Sequence, residues 1–237
     1  MNKIALFALG ATLMSAPAFA FEFNGGSLGL GYSAFTDDDI VAPDTTLSKS
    51  MIDGSIEMGF TPMWAAQLDL AFADLDASNI DINNVTLHGI YHMDAATSFG
   101  AFIGRDDFDS DNLDLYGLEF RHDMQAISLE GYLGRSKDVG ESDVMFGLGG
   151  RYAVSDQFGL GLNYDRITSD GSDISTIALG ADYAVMPNVL LSAKIGSADL
   201  PFTGSETYFG IGVEYTFGPK GGTTFGPRGL TYILPGL

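Results

Sequence analysis

The chain has 237 residues, no cysteine, 31 glycines, 17 Phe and 10 Tyr, and a formal net charge of −20. That charge excludes the nucleic-acid backbone as a main partner, since such binding needs basic patches. The missing cysteines exclude disulfides as a source of stability. At 46 % hydrophobic residues it is too apolar for a disordered acidic chain.

Residues 1–20 read as a secretory signal: a basic start at Asn2-Lys3, an apolar run over 4–14, and a small-x-small cleavage site at Ala18-Phe19-Ala20. The mature chain then starts at Phe21. Beyond the signal no apolar run reaches the ~18 residues of a spanning helix. An exported, apolar, glycine- and aromatic-rich chain without such a helix leaves the β-barrel as its membrane option.

Twelve segments alternate with period 2. Residues 27–35 set Leu28, Leu30 and Tyr32 against Gly29, Gly31 and Ser33. Residues 49–60 set Ile52, Ile56, Met58 and Phe60 against Asp53, Ser55 and Glu57. Residues 64–73 set Trp64, Leu68, Leu70 and Phe72 against Gln67 and Asp69, and residues 84–93 set Val85, Leu87 and Tyr91 against His88 and His92. Residues 98–105 turn Phe99, Ala101 and Ile103 outward, with Phe102 on the wrong face. Residues 113–121, 125–134 and 144–154 follow, carrying Glu119, Arg121, Glu130 and Arg151 opposite their apolar faces. The last four are 158–165, 176–185, 189–196 and 208–217.

The connections alternate between short turns and longer acidic loops. That is the threading of an up-and-down barrel, with short turns and both termini in the periplasm. The 197 residues from 21 to 217 allow roughly 16 per strand and connection. The predicted fold is therefore all-β: an antiparallel up-and-down transmembrane barrel over 21–217 of twelve strands, or ten if the weak fifth segment and a neighbour merge into a loop. A soluble β-sandwich also alternates, but there large residues meet across a core. Here the second face carries glycine and charge.

That face is the predicted lumen lining: Glu57, Gln67, Asp69, His88, His92, Glu119, Arg121, Glu130, Arg151, Asn163, Asp165, Asp182, Lys194 and Glu214. Inward placement spares the ~2–4 kcal/mol that Lys or Arg would cost against lipid. The groups could pair and plug a closed barrel. Glycines 147, 149, 159, 161, 210 and 212 argue instead for a narrow watery lumen, in which the acid excess favours cations. Phe60, Trp64, Tyr91, Phe99, Phe120, Tyr152, Phe158, Tyr183 and Phe217 fall next to short turns, where an aromatic girdle belongs.

Asp107, Asp109 and Asp111 have the i, i+2, i+4 spacing of a calcium loop but lack its glycine and its closing Glu, as does Asp37-Asp38-Asp39. A solvated loop is the plainer reading; weak Ca²⁺ binding, or divalent bridging to lipopolysaccharide, is the other, and no further cofactor is expected. For catalysis only His88, His92 and His122 are available. His88 and His92 stand about 13 Å apart on one strand, and neither has a serine two residues away on its strand. A hydrolase is therefore not expected.

The signal, the alternating strands, the acidic loops and the last strand together resemble Gram-negative outer-membrane porin-like barrels. The resemblance implies an outer-membrane location, lipid and lipopolysaccharide contacts, and folding by the barrel-assembly machinery. Tyr208, Phe209, Ile211, Val213, Tyr215 and Phe217 would be its recognition signal. The expected function is a narrow, passive, mildly cation-preferring channel for ions or small polar solutes; the alternative is a structural or adhesive barrel with a closed lumen and active loops. Residues 218–237, with Gly-Pro at 218 and 226, read as a flexible periplasmic tail. A second reading folds residues 231–237 back as a plug.

Overall fold

The structure is a computed structural model that describes residues 21–37, 46–76, 80–109, 111–137, 142–169, 172–201 and 203–235. The expected signal at 1–20, and Asp38 and Asp39 of one acidic triplet, lie outside these residues.

Twelve antiparallel strands close into one barrel: β1 (Glu22–Phe35), β2 (Ser48–Thr61), β3 (Trp64–Leu75), β4 (Ile80–His92), β5 (Thr97–Phe108), β6 (Asp111–Met124), β7 (Ile127–Lys137), β8 (Ser142–Ala153), β9 (Phe158–Ser169), β10 (Ser172–Met186), β11 (Val189–Leu200) and β12 (Gly204–Phe217). Each pairs with its sequence neighbours. The seam joins β1 to β12 in continuous register from Gly26↔Phe217 to Phe35↔Tyr208. Closure leaves no edge, so the ladder satisfies the backbone where no water is available.

The outward residues form the lipid-facing band. Leu28, Leu30, Ile52, Ile103, Leu118, Leu133, Leu162, Leu179, Ile195 and Ile211 are all exposed. Trp64 packs tilted against Tyr91 at 4.9 Å and Phe21 edge-on against Phe60 at 5.3 Å beside the short turns. Side-chain oxygens close three of these turns. Thr61 accepts the Met63 and Trp64 N–H groups, Asp94 those of Ala96 and Thr97, and Ser155 those of Gln157 and Phe158. The Ala96 N–H holds the Asp94 carboxyl below the usual carboxylate range.

The strands run further than the alternation predicts. The strands reach into the segments expected as long acidic loops at 74–81, 106–112 and 197–206: β3 runs to Leu75, β5 to Phe108 and β11 to Leu200. The reason is that the alternation changes sign at the outer ends. There Asp74, Asn83, Arg105, Asp114, Arg166 and Asp199 face outward, and Leu75, Ile82, Leu113, Ile167 and Leu200 face in. The walls have left the hydrocarbon, so water lies outside and apolar side chains fill the bore. Every strand contributes to this inner layer, from Phe35 on β1 through Met51, Ala73, Ile82, Phe108, Leu115, Tyr132, Met145, Ile167, Ile174 and Ala198 to Tyr208 on β12.

Phe102, which weakened the fifth segment, belongs to this filling. It is 1 % exposed, meets Tyr132 edge-on at 6.2 Å, and occupies the space left by Gly117 and Gly134. A Cβ at Gly117 would sit 2.6 Å from its ring and 2.6 Å from the Leu133 carbonyl oxygen. Gly117→Val should therefore destabilise the barrel by about 1–3 kcal/mol through overpacking, read as a lower urea midpoint in detergent micelles. An unchanged midpoint would show that the fit is not needed.

Candidate functional site in the lumen

The chain after Phe217 does not extend into the periplasm as a flexible tail. Gly218 (φ 88°) and Gly221 (φ 65°) turn it back into the bore, and Lys220 N donates to Asn24 O at 2.8 Å. Gly25 lets it pass, because a Cβ there would run into the Gly222 carbonyl oxygen. The segment then climbs the inner face of β2–β7 from the short-turn rim to the outer apolar layer.

Each step of the climb has a wall partner. Glu57 accepts from Thr224 N and from Asn24 Nδ2, both at 2.7 Å. The Gln67 amide pairs with both sides of Phe225, accepting its N–H at 3.1 Å and donating to its carbonyl at 2.8 Å. The Phe225 ring stacks on His88 and is 1 % exposed. Arg121 donates to Thr224 O at 3.1 Å, and Gly226 N donates to Glu130 at 2.9 Å. Higher up, Asn84 and Thr86 donate to Arg228 O. Asp106 accepts from Leu230 N at 2.7 Å and Thr231 Oγ1 at 2.9 Å at the start of a single helical turn, α1 (Leu230–Ile233). Lys49 Nζ donates to the carbonyls of Thr231 and Leu234. Ile233 and Leu230 then enter the apolar layer.

Arg228 is the centre of this seat. It is 7 % exposed, donates through Nε to Glu119 at 3.0 Å and through Nη2 to Glu130 at 2.6 Å, and lies 4.7 Å over the Tyr132 ring. Glu119 also contacts His88 Nδ1 at 2.6 Å, and His88 Nε2 contacts Asp69 at 2.7 Å. With carboxylates at both nitrogens the ring can donate twice only as imidazolium. The row Asp69–His88–Glu119–Arg228–Glu130 thus alternates in sign across four strands and the inserted segment, as a buried charge network must.

The other half of the bore differs. Gly147, Gly149, Gly161, Gly180, Gly210, Gly212, Gly29 and Gly31 line it, on β8–β12 and β1, and leave a crescent-shaped cavity of about 690 Å³ against the inserted segment. Arg151, Asn163, Ser192, Lys194 and Glu214 face this space and are exposed, while Asp165 and Asp182 are partly so. The apolar layer lies above the cavity.

The fourteen residues expected in the lumen all face inward, but they separate into two groups. Glu57, Gln67, Asp69, His88 and Glu119 are buried at or below 4 % exposure against the inserted segment. Arg151, Asn163, Asp165, Asp182, Lys194 and Glu214 line the crescent, with Arg121 and Glu130 shared. His92 lies at the periplasmic rim beside Lys220 and Thr224. Lys49, Asp53, Asn84, Asp106 and the segment's own Arg228 were not among the predicted residues. The concentration of glycine on β8–β12, with large polar groups on β2–β7, was the available signal for a bore filled on one side.

His92 Nδ1 lies 2.9 Å from Ser98 Oγ across the β4–β5 ladder, a pair that a search along single strands cannot see. Asp107 pairs with Asn112 and Asp111 with Phe108 on the two arms of a hairpin, with Asp109 (φ 30°) at its tip. Among the described residues no three His, Asp or Glu side chains are arranged to hold a metal ion. On β12, Phe209, Ile211, Val213 and Tyr215 face lipid, Tyr208 is buried in the outer layer, and Phe217 stacks between Phe23 and Tyr215.

The sequence profile of the family described as "Outer membrane protein beta-barrel domain" matches residues 6–184. The chain belongs to this outer-membrane β-barrel family. No characterised protein matches this outer-membrane barrel in sequence. Solved structures match it in fold. The KdgM porin in complex with disordered oligogalacturonate aligns at TM-score 0.59 and 14 % identity, covering 80 % of this chain and 99 % of that one. The NanC porin aligns at 0.58 and 10 %, covering 80 % and 98 %. An outer membrane channel from Pseudomonas putida F1 aligns at 0.54 and 13 %, covering 86 % and 99 %. The outer membrane of a Gram-negative bacterium is where this barrel resides.

The seat gives a direct prediction. Trypsin should not cut after Arg228 in the folded barrel. In Glu119→Gln/Glu130→Gln, which leaves the buried guanidinium without its carboxylates at a cost of about 3–5 kcal/mol, cleavage there should appear. Cleavage of the parent at the same rate would remove the seat.

Proposed function

We propose that this barrel is a channel for ions and small polar solutes that is closed while its C-terminal segment is seated. The observation that carries the reading is the composition of the obstruction. The wall of β8–β12 carries glycine where a permanently sealed barrel would carry bulk. The obstruction on the other side is a segment outside the strand ladder, and its Leu230 and Ile233 help to form the apolar layer. When the segment leaves, that layer loses its middle and the crescent widens into a bore. The porin fold of the structural neighbours supports a channel.

The cation preference expected from the sequence is assigned to the vacated bore. With the segment seated, the crescent is lined by five acids (Asp53, Glu130, Asp165, Asp182 and Glu214) and five bases (Lys49, Arg121, Arg151, Lys194 and Arg228). Glu57, Asp69, Asp106 and Glu119 are occupied by the inserted chain and its neighbours. The closed structural barrel is the second reading, favoured by the continuity of the apolar layer across the bore. A hydrolase is not adopted. Glu57 stands 3.8 Å from His92 Nε2, and its oxygens are taken by Asn24, Thr224 and Lys220, so the orienting bond of a triad is missing.

Planar-bilayer recording tests the proposal. The full-length barrel should give small or rare steps. Deletion of 218–237 should give steps at least several-fold larger, with a reversal potential shifted toward cation selectivity as Lys220 and Arg228 are removed and four carboxylates are uncovered. Absence of current from both proteins would favour the structural reading, and equal currents would show that the segment does not close the pore.

A further inference from the structure

The wall meets the inserted segment chiefly through the segment's backbone. Glu57 accepts from Thr224 N, and Arg121 donates to Thr224 O. Gln67 takes both backbone groups of Phe225, and Glu130 takes Gly226 N. Asn84 and Thr86 donate to Arg228 O, and Asp106 accepts from Leu230 N. Every peptide carries such groups, so these contacts hold an extended chain without regard to its side chains.

Two places select a side chain. The Phe225 ring packs with Ala65 and Ile90 and stacks on His88 at 6.3 Å. Gly100 makes the room, since a Cβ there would stand 2.6 Å from the ring. Three residues on, Arg228 meets Glu119, Glu130 and the Tyr132 ring.

The selecting groups are tied to the wall as well as to the segment. Asp69 accepts from Gln67 at 2.9 Å and pairs with His88, which in turn holds Glu119. Asn24 donates to Glu57 and Asn84 to Asp106, both at 2.7 Å. The groove therefore keeps its shape and polarity when empty, and a preformed site binds without the cost of ordering itself. Its flank at Gly226, Pro227 and Gly229 borders the crescent cavity, which gives a second chain a way in.

We propose that this groove binds short extended peptides supplied from outside the chain, with an aromatic residue followed three positions later by an arginine. The inserted segment occupies it as an internal copy of that ligand. Such binding rests on the same event as the channel opening proposed above, departure of the segment from its seat. A basic peptide in the bore competes for the donors and acceptors that hold residues 224–230, so the solute itself relieves closure.

The test uses the folded full-length barrel in detergent and a labelled free peptide, TTFGPRGL, which copies residues 223–230. Phe225→Ala/Arg228→Gln removes both anchors of the segment. Amides over 223–234 should exchange hydrogen faster in this variant than in the parent. Fluorescence anisotropy should show the variant binding the peptide about tenfold more tightly or better, because its own segment no longer holds the groove. Peptides with alanine for the phenylalanine or glutamine for the arginine should bind about tenfold more weakly or worse, as should a scrambled peptide of the same composition. In the parent, excess TTFGPRGL should raise amide exchange over 223–234, a readout that does not depend on the variant folding. If the variant's segment exchanges but the peptide fails to bind, or binds no better than the scrambled one, the peptide site is overturned and the channel reading stands. If the segment stays protected both in the variant and in the parent with excess peptide, it does not leave its seat, and both fall.

Discussion

Every backbone amide within the hydrocarbon has to find its partner inside the chain, and twelve strands closed at the β1–β12 seam meet that demand. The rest of the structure follows from the closure. A closed sheet of this size encloses a bore wider than one layer of wall side chains fills. Something must occupy it, water or protein. The two halves of the wall solve this differently, with glycine and an open cavity along β8–β12 and a returning segment along β2–β7.

The returning segment is expensive to order, at about 1–2 kcal/mol of backbone entropy per residue, and its surface is too polar for burial alone to hold it. Its contacts are accordingly charge-assisted and made to backbone. Gln67 reads Phe225 as a strand neighbour would, Asp106 and Lys49 occupy the two ends of its single helical turn, and Arg228 completes a row of alternating charges. Such a row tolerates no missing member, because each loss leaves an opposite charge buried. The segment and its seat are thus one unit of stability, separate from the strand ladder.

The barrel was legible in the sequence because period-2 alternation against lipid is a strong and repeated signal. Its strand number, the inward set from Glu57 to Glu214, and the wrong-faced Phe102 were all visible, though the reason for Phe102 was not. It needs Gly117 and Gly134 on two other strands, and register is not written in a single segment. The outer strand ends were misread for a physical reason. Asp74, Asp107 and Asp199 look like loop when the expected outward residue is apolar, but beyond the hydrocarbon a strand must be polar outside. The reading of the tail as a flexible extension failed because its Gly-Pro pairs forbid regular structure and an irregular segment satisfied by side chains leaves no periodicity; the second reading, a fold-back into the lumen, is what the described residues show, with the return starting at Gly218 and not at Thr231. The excess of inward acids over bases was the clue that a cation, here Arg228, was still to be supplied.

The obstruction follows β12 and does not connect two strands of the wall, and this gives the barrel a freedom that a plug looped between strands lacks. A loop between strands is tethered to the wall at both ends and can only swing; a segment joined to the wall through Phe217 alone, among the described residues, can slide out lengthwise. Among the described residues its last bonded one, Leu234, lies deepest, and the point of attachment, Phe217, is at the mouth. Withdrawal therefore parts no strand from its neighbour and can be undone by the same path. The barrel can change what its interior contains while its fold stays the same.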